Sequence, residues 1–205
     1  NELFGHVKGA FTGALGFKEG LVKLADSGTF FIDEIGDMNQ LVQASLLRFI
    51  ETGIFRPLGS SKEVRVNTRI VAAINKDIEE EVRAKRFRQD LYYRLNVCRI
   101  NIPPLRERAQ DIPILARHFL SMFTTASGRF VTLSSGAVEL LMLHSWPGNV
   151  RELFHVIQRA IVLLSRREDT ITKRHIDESL HSWNRGIVAE KPYSVGPLKA
   201  SEKEY

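Results

Sequence analysis

The sequence is poor in cysteine: Cys98 is the single one in 205 residues, so no disulfide can close within the chain. That usage goes with a reducing compartment, and the cytoplasm is the expected location. There is no leader-like segment and no apolar run of about 18 residues, so nothing points to export or to a membrane. None of the fourteen glycines is followed by lysine. A G-x-x-x-x-G-K-[ST] phosphate loop, in which backbone N–H groups wrap phosphates and the Lys and hydroxyl complete the site, is therefore missing. Nor does an apolar strand precede a G-x-G-x-x-G run, as a dinucleotide site needs. The six histidines and the cysteine have no zinc-ligand spacing. A starting methionine is also lacking, and the chain reads as a fragment of something longer.

What is present is ordinary for a globular protein: 43% apolar and 26% charged residues, enough for a larger and a smaller subdomain. The net charge of +5 is unevenly spread. Residues 83–108 hold eight basic against two acidic residues. Such a run suits a nucleic-acid surface, a solvated helix face, or arginines aimed at an anion on a neighbouring subunit.

Near the start, GHVKGAFTGALG places Gly5, Gly9, Gly13 and Gly16 around Phe11. Lys8, Lys18 and Glu19 exclude a membrane-helix G-x-x-x-G motif. A mobile loop remains, hinged by glycines with Phe11 and Thr12 at its tip. An exposed Phe suggests a partner; an ordinary buried turn is the alternative.

Beyond the loop, Phe30-Phe31-Ile32 predicts a strand buried on both faces. A helix is expected from Asn39 to Thr52, stopped by Gly53, followed by a small hairpin over 54–58 and 64–67. RIVAAIN, 69–75, reads as a second fully apolar strand ending in a polar residue, Asp77 as the cap of a short helix, and 98–105 as a third strand. Strands alternating with helices imply a parallel sheet covered on both sides. From Asp111 the pattern turns helical, over 111–124, 134–144, 149–166 and 172–181, with a short strand at 130–133. Asn149 and Glu152 are spaced as a capping box. A linker is expected from Gly186.

Four sets of residues could carry chemistry. Asp33 and Glu34 end an apolar strand, where open α/β sheets bind ligands, and adjacent acids suit a Mg²⁺ partner and a water-activating base. The bland alternative is a strand end. Asn75 ends the next apolar strand and could lie beside Glu34, or simply make a turn. Arg88 and Arg94, six apart in FRQDLYYRL, could act on a phosphate presented by another subunit, or form a surface pair such as Arg88 with Asp90. Arg151 lies in the first turn of the helix after WPGN, where the dipole favours anions, so it could sense a nucleotide; a core-anchoring Trp146 with a solvated Arg is the alternative.

Taken together, the segments ELFGHVKGAFTGA, ADSGTFFIDEIGDM, FRQDLYYRLNV, PPLRER and WPGNVREL resemble, in order, those of bacterial enhancer-binding proteins, the AAA+ ATPases that activate sigma-54 RNA polymerase. The resemblance runs from Asn1 to about Leu180. It implies an α/β AAA+ core with a parallel sheet (1–108), an α-helical lid (109–185) and a linker (186–205). Asp33 resembles the Mg²⁺-associated Walker B acid, Glu34 the catalytic acid, Asn75 the sensor I asparagine, Arg88 and Arg94 the trans-acting arginine fingers, and Arg151 the sensor II arginine. Gly9, Ala10, Phe11, Thr12, Gly13 and Ala14 match the GAFTGA loop that engages sigma-54.

The resemblance further implies ATP and Mg²⁺ as cofactors, a ring that is commonly hexameric, and the sigma-54 holoenzyme as partner. DNA would be bound through a helix-turn-helix domain outside this chain, and the isolated chain, without Walker A, is expected to be inactive. Two departures stand out: Ile74 replaces the usual Thr before the sensor I Asn, and Ser27 stands where a glycine is common. Ile74 keeps open a second reading, a module that holds sigma-54 without turning over ATP. A third reading, a DNA-binding protein with 83–108 as its footprint, fits the charge alone.

Overall fold

The computed structural model describes residues 2–125, 130–165 and 167–187. The chain divides into two compact units, Asn1–Ile100 and Asn101–Tyr205. Each has its own apolar core.

In the first unit, β1 (Gly5–His6) and β2 (Lys18–Glu19) pair antiparallel and enclose the glycine-rich loop. Their backbones touch: a Cβ on Gly20 would lie 2.3 Å from the Phe4 carbonyl carbon, and one on Gly5 would lie 2.4 Å from the Lys18 oxygen. Only glycine allows this approach. The short α1 (Leu21–Leu24) leads to β3 (Thr29–Ile32). Then come α2 (Gln40–Thr52) and the hairpin β4 (Ile54–Phe55) and β5 (Val64–Arg65). β6 (Arg69–Ala72) runs parallel to β3, with Phe30 opposite Ile70 and Ile32 opposite Ala72. Two helices close the unit, α3 (Ile78–Arg83) and α4 (Gln89–Leu95).

The predicted helix ends are seen. The Asn39 side chain accepts from the Val42 N–H, and Gly53 stops α2 with φ 68°. The Asp77 side chain takes the N–H groups of Glu79 and Glu80 at the start of α3.

Two expectations need correcting. β3 is buried on one face only: Phe30 and Ile32 pack with Val22, Leu46, Phe49 and Leu91, whereas Phe31 is 58% exposed. A short apolar run does not by itself tell how many faces are covered, since side chains alternate along a strand. Residues 98–104 form no strand. Ile100 and Ile102 are exposed, Pro103 and Pro104 have no N–H to give, and a 3₁₀ turn starts at Leu105.

Ser27 has φ 62°, and its N–H donates to the Asn67 carbonyl at 2.7 Å. The left-handed region is costly for a residue with a Cβ, and a glycine would occupy it without that cost. Ser27→Gly is expected to stabilise the chain by about 0.5–1 kcal/mol, read as a raised thermal midpoint. A lower midpoint would show that the serine contributes more than its backbone costs.

In the second unit, α5 (Ile112–Thr125), α6 (Ser135–Leu143), α7 (Asn149–Leu163) and α8 (Lys173–Ile187) bury Ile112, Leu141, Trp146, Leu153, Ile157 and Ile176. The unit is not purely helical. β7 (Thr132–Leu133) pairs parallel with β8 (Thr170–Ile171), a two-residue strand too short to signal itself. α8 continues through Gly186 to Ile187, past the expected start of the linker. The rest of that segment, 188–205, lies outside the described residues.

The expected capping box is also redistributed. Asn149 has φ 51°, and its side chain accepts from the Leu105 N–H at 2.9 Å. Glu152 reaches one residue further back than the motif implies, to the Gly148 N–H at 2.8 Å.

Candidate functional site

The parallel pair β3 and β6 sets the first constellation. The chain leaves β3 through Asp33 and Glu34 and leaves β6 through Asn75, so all three stand at the same edge of the sheet. Asn75 Nδ2 donates to Glu34 Oε1 at 3.3 Å, which brings the two together as the sequence suggested. Asp33 Oδ1 accepts the Glu34 N–H at 3.0 Å. Glu34 itself has φ 51° and ψ 43°, a left-handed conformation that turns its side chain out of the strand direction. Such backbone strain persists only where neighbours hold it and gathers at functional sites. Here the Ile35 N–H is tied to the Ala73 carbonyl at 3.1 Å, and the Ala73 N–H to the Ile32 carbonyl at 2.8 Å.

Ile74 packs against the turn after Glu34, where a Cβ on Gly36 would come 2.9 Å from Ile74 Cδ1. An apolar side chain therefore occupies this position, and the hydroxyl of a threonine is replaced by packing. Lys76 and Asp37 form a close ion pair beside it, which raises the Lys76 pKa.

Asp33 and Glu34 are both exposed. Among the described residues no cluster of three or more His, Cys, Asp or Glu could cage a metal. Mg²⁺ does not require one, since it is usually held by one or two carboxylates, water and phosphate oxygens. Asp33, exposed at the sheet edge, fits that role.

Arg88 precedes α4 and lies against Asp90: Nε to Oδ1 is 3.0 Å and a terminal nitrogen to Oδ2 is 2.7 Å. The surface ion pair foreseen as the alternative is thus present. The hydrogen bonds from Arg88 hold the Asp90 carboxyl below the usual aspartate range. Because the folded value is depressed, this contribution to stability is complete above the ordinary carboxylate range and is lost as pH falls through the lowered value. Arg88→Ala is expected to raise the Asp90 midpoint, measured by carboxyl carbon NMR; an unchanged midpoint would show that another group sets it.

The pair is exposed and screened, so it holds Arg88 only weakly. Arg88, Gln89, Asp90 and Tyr93 line a shallow open groove. Arg94 is exposed in the last turn of α4, and Arg151 in the first turn of α7 in the second unit.

The glycine-rich loop projects from β1 and β2. Gly9 has φ 81° and Gly13 φ 101°. The loop is folded, with Gly9 N–H to Ala14 O at 2.9 Å and Ala14 N–H to Phe11 O at 3.0 Å. Thr12 is exposed, Ala10 half-buried against Gly59 and Ala14 buried. Phe11 is 43% exposed, and its ring stands edge-on to His6 with centroids 5.0 Å apart. The barer apolar groups are Leu15, 89% exposed, and Phe17, 69%. Sequence reasoning passed over both; two large apolar residues flanking Gly16 were the available signal.

Sequence reasoning also passed over Gln43 and did not foresee the burial of Glu152. Gln43, fully buried on α2, bonds three backbone groups. Glu152, also fully buried, joins the Gly148 N–H to His144 Nε2, each at 2.8 Å.

An α/β unit with acids and an asparagine at the ends of parallel strands, followed by a helical unit, is the arrangement of AAA+ ATPase domains. The solved structure of NtrX from Brucella abortus in complex with ADP superposes with a TM-score of 0.77 at 29% identity, over 85% of this chain and 38% of that one. RuvB from Thermotoga maritima, at 17% identity and a TM-score of 0.55 over 80% of this chain and 48% of that one, shares the fold.

Residues 1–101 match the sigma-54 interaction domain and residues 106–189 the AAA+ ATPase lid domain. The chain belongs to the family of sigma-54-dependent transcriptional activators. It is 47% identical to the Nif-specific regulatory protein of Azotobacter vinelandii, over 97% of this chain and 36% of that protein. It is 45% identical to the transcriptional regulatory protein ZraR of Klebsiella oxytoca, over the whole of this chain and 46% of that protein. The chain thus spans less than half the length of these relatives.

Proposed function

We propose that these residues belong to an ATP-hydrolysing activator that remodels the closed promoter complex of sigma-54 RNA polymerase through the 9–14 loop. The observation that carries this reading is the meeting of Glu34 and Asn75 at the end of two parallel strands, 3.3 Å apart, beside Asp33. Glu34 is the general base that orients and deprotonates the attacking water, and Asn75 holds its carboxylate. Asp33 is the residue that would hold Mg²⁺, which when bound neutralises phosphate charge. Arg88 leaves Asp90 to place its charge on the terminal phosphate of a nucleotide bound by the adjacent subunit of a ring, commonly a hexamer, with Arg94 beside it. Arg151 reads the nucleotide from the lid.

The ATP- and ADP-bound NtrX structures support nucleotide as the ligand. The 205 residues contain no phosphate loop, so turnover is proposed for a protein that carries one together with them, and the isolated chain is inactive. DNA contact through a helix-turn-helix domain is proposed for the same longer protein.

The test is ATP-dependent open-complex formation on a sigma-54 promoter by the full-length protein. ATP hydrolysis with open complexes supports the reading. Sigma-54 binding without hydrolysis would favour the non-catalytic module that Ile74 keeps open.

A further inference from the structure

α2 carries its core residues Leu46 and Phe49 toward β3, yet at Gln43, on the same helix, it buries an amide completely. A leucine there would fill the volume without any polar requirement. The amide instead meets three backbone groups. Gln43 Nε2 donates to the Met38 carbonyl at 2.7 Å and to the Arg86 carbonyl at 3.0 Å, and Gln43 Oε1 accepts the Arg88 N–H at 2.8 Å. Both polar ends of the side chain are used, and two of the three bonds fall on the segment that presents Arg88.

We propose that Gln43 is a positioning residue for Arg88, fixing the backbone from which the arginine reaches a neighbouring subunit's phosphate. This rests on the reading of Arg88 as a trans-acting arginine.

The geometry supports a dedicated clamp. One turn earlier on α2, Gln40 Nε2 donates to the Lys85 carbonyl at 2.9 Å, so two glutamines on one helix hold the 85–88 segment. Lys85 has φ 57°, a conformation the segment would not hold unaided. Phe87 is buried between these contacts, which leaves the flanking Arg88 side chain outside. The Met38 carbonyl is the fixed end, because the turn from Glu34 to Met38 is closed by its own bonds, Asp37 N–H to Glu34 O at 2.9 Å and Met38 N–H to Ile35 O at 3.3 Å. Glu34 is tied to β6 independently of Gln43, through Asn75 and the Ile35 N–H. Loss of the amide should therefore disturb the arginine that a subunit lends and spare the acids it keeps.

The experiment uses Gln43→Met in the full-length protein, a swap that keeps side-chain length and removes all three bonds. Uniform rings are expected to lose ATP hydrolysis at least tenfold while ATP affinity stays within about twofold. Mixed with Glu34→Gln subunits, which lend a sound Arg88 but lack the base, the rings should regain hydrolysis above the average of the two uniform preparations. Mixed with Arg88→Ala subunits they should not. A wild-type rate in uniform rings, or no regain with Glu34→Gln, overturns the proposal, the latter by placing the defect in the subunit's own site. If Arg88→Ala subunits also fail to regain activity with Glu34→Gln, the trans reading of Arg88 is what fails. Should Gln43→Met not fold, Gln43→Glu keeps an acceptor for the Arg88 N–H, loses both donated bonds, and is judged by the same mixtures.

Discussion

Glu34→Gln is expected to leave ATP binding intact and to lower hydrolysis by about 10²-fold or more. The substitution is close to a pure removal of the base. Glutamine keeps the length and an Oε1 that can accept the Asn75 amide, now seen at 3.3 Å from the carboxylate. It is no worse than glutamate in the left-handed conformation at φ 51°, so the turn into Ile35 survives. Asp33, whose Oδ1 takes the backbone N–H of residue 34, keeps that bond whatever side chain follows. Equilibrium nucleotide binding and steady-state turnover, measured on one preparation of a protein with a phosphate loop, separate the two effects. Lost binding together with lost turnover would mean that Glu34 holds the site's shape. Unchanged turnover would move the base elsewhere, with Asp37 close by but engaged by Lys76.

Which parts of this site were legible in the sequence follows from the range of the interactions involved. Strand ends and helix caps are local, so Asp33, Asn75, the Asn39 cap and the Gly53 stop could be read from a few neighbouring letters. The contact of Glu34 with Asn75 spans 41 positions yet was still foreseeable, because two apolar runs each ending in polar residues imply adjacent parallel strands.

Other features had no local signal. Gln43 looks like any polar letter on an amphipathic helix, and its burial depends on a segment more than forty residues away. Glu152 fitted a capping box, but Asn149 was drawn off by the Leu105 backbone and the pairing moved by one residue. The continuous run Phe30-Phe31-Ile32 suggested a strand covered on both sides, and Phe31 lies open. The run at 98–105 had the letters of a strand but finds no partner among the described residues. Strand formation is a property of pairs, and one sequence segment states only half of it.

The second large effect is expected at the loop. Phe11→Ala should weaken sigma-54 binding by about 2 kcal/mol or more, roughly thirtyfold, if the ring is the anchor of the contact. Its cost to folding should be about 1 kcal/mol at most. The ring is already 43% exposed, and what folding loses is chiefly the edge-on contact with His6. ATP hydrolysis should stay near normal, since the loop leaves the unit through β1 and β2, on segments separate from Asp33, Glu34 and Asn75.

Leu15 and Phe17 make the comparison sharp. Both are barer than Phe11, so a partner drawn simply to exposed apolar surface would respond more to Leu15→Ala and Phe17→Ala. A partner that reads the GAFTGA segment should respond most to Phe11, because the turns at Gly9 and Gly13 fix where that ring stands. Thermal midpoint, ATPase rate and sigma-54 co-elution in a nucleotide transition-state analogue, taken on all three variants, decide the order. If Phe11→Ala lowers the midpoint sharply while sigma-54 still binds, Phe11 is a packing residue for His6, and the contact belongs to Leu15 and Phe17.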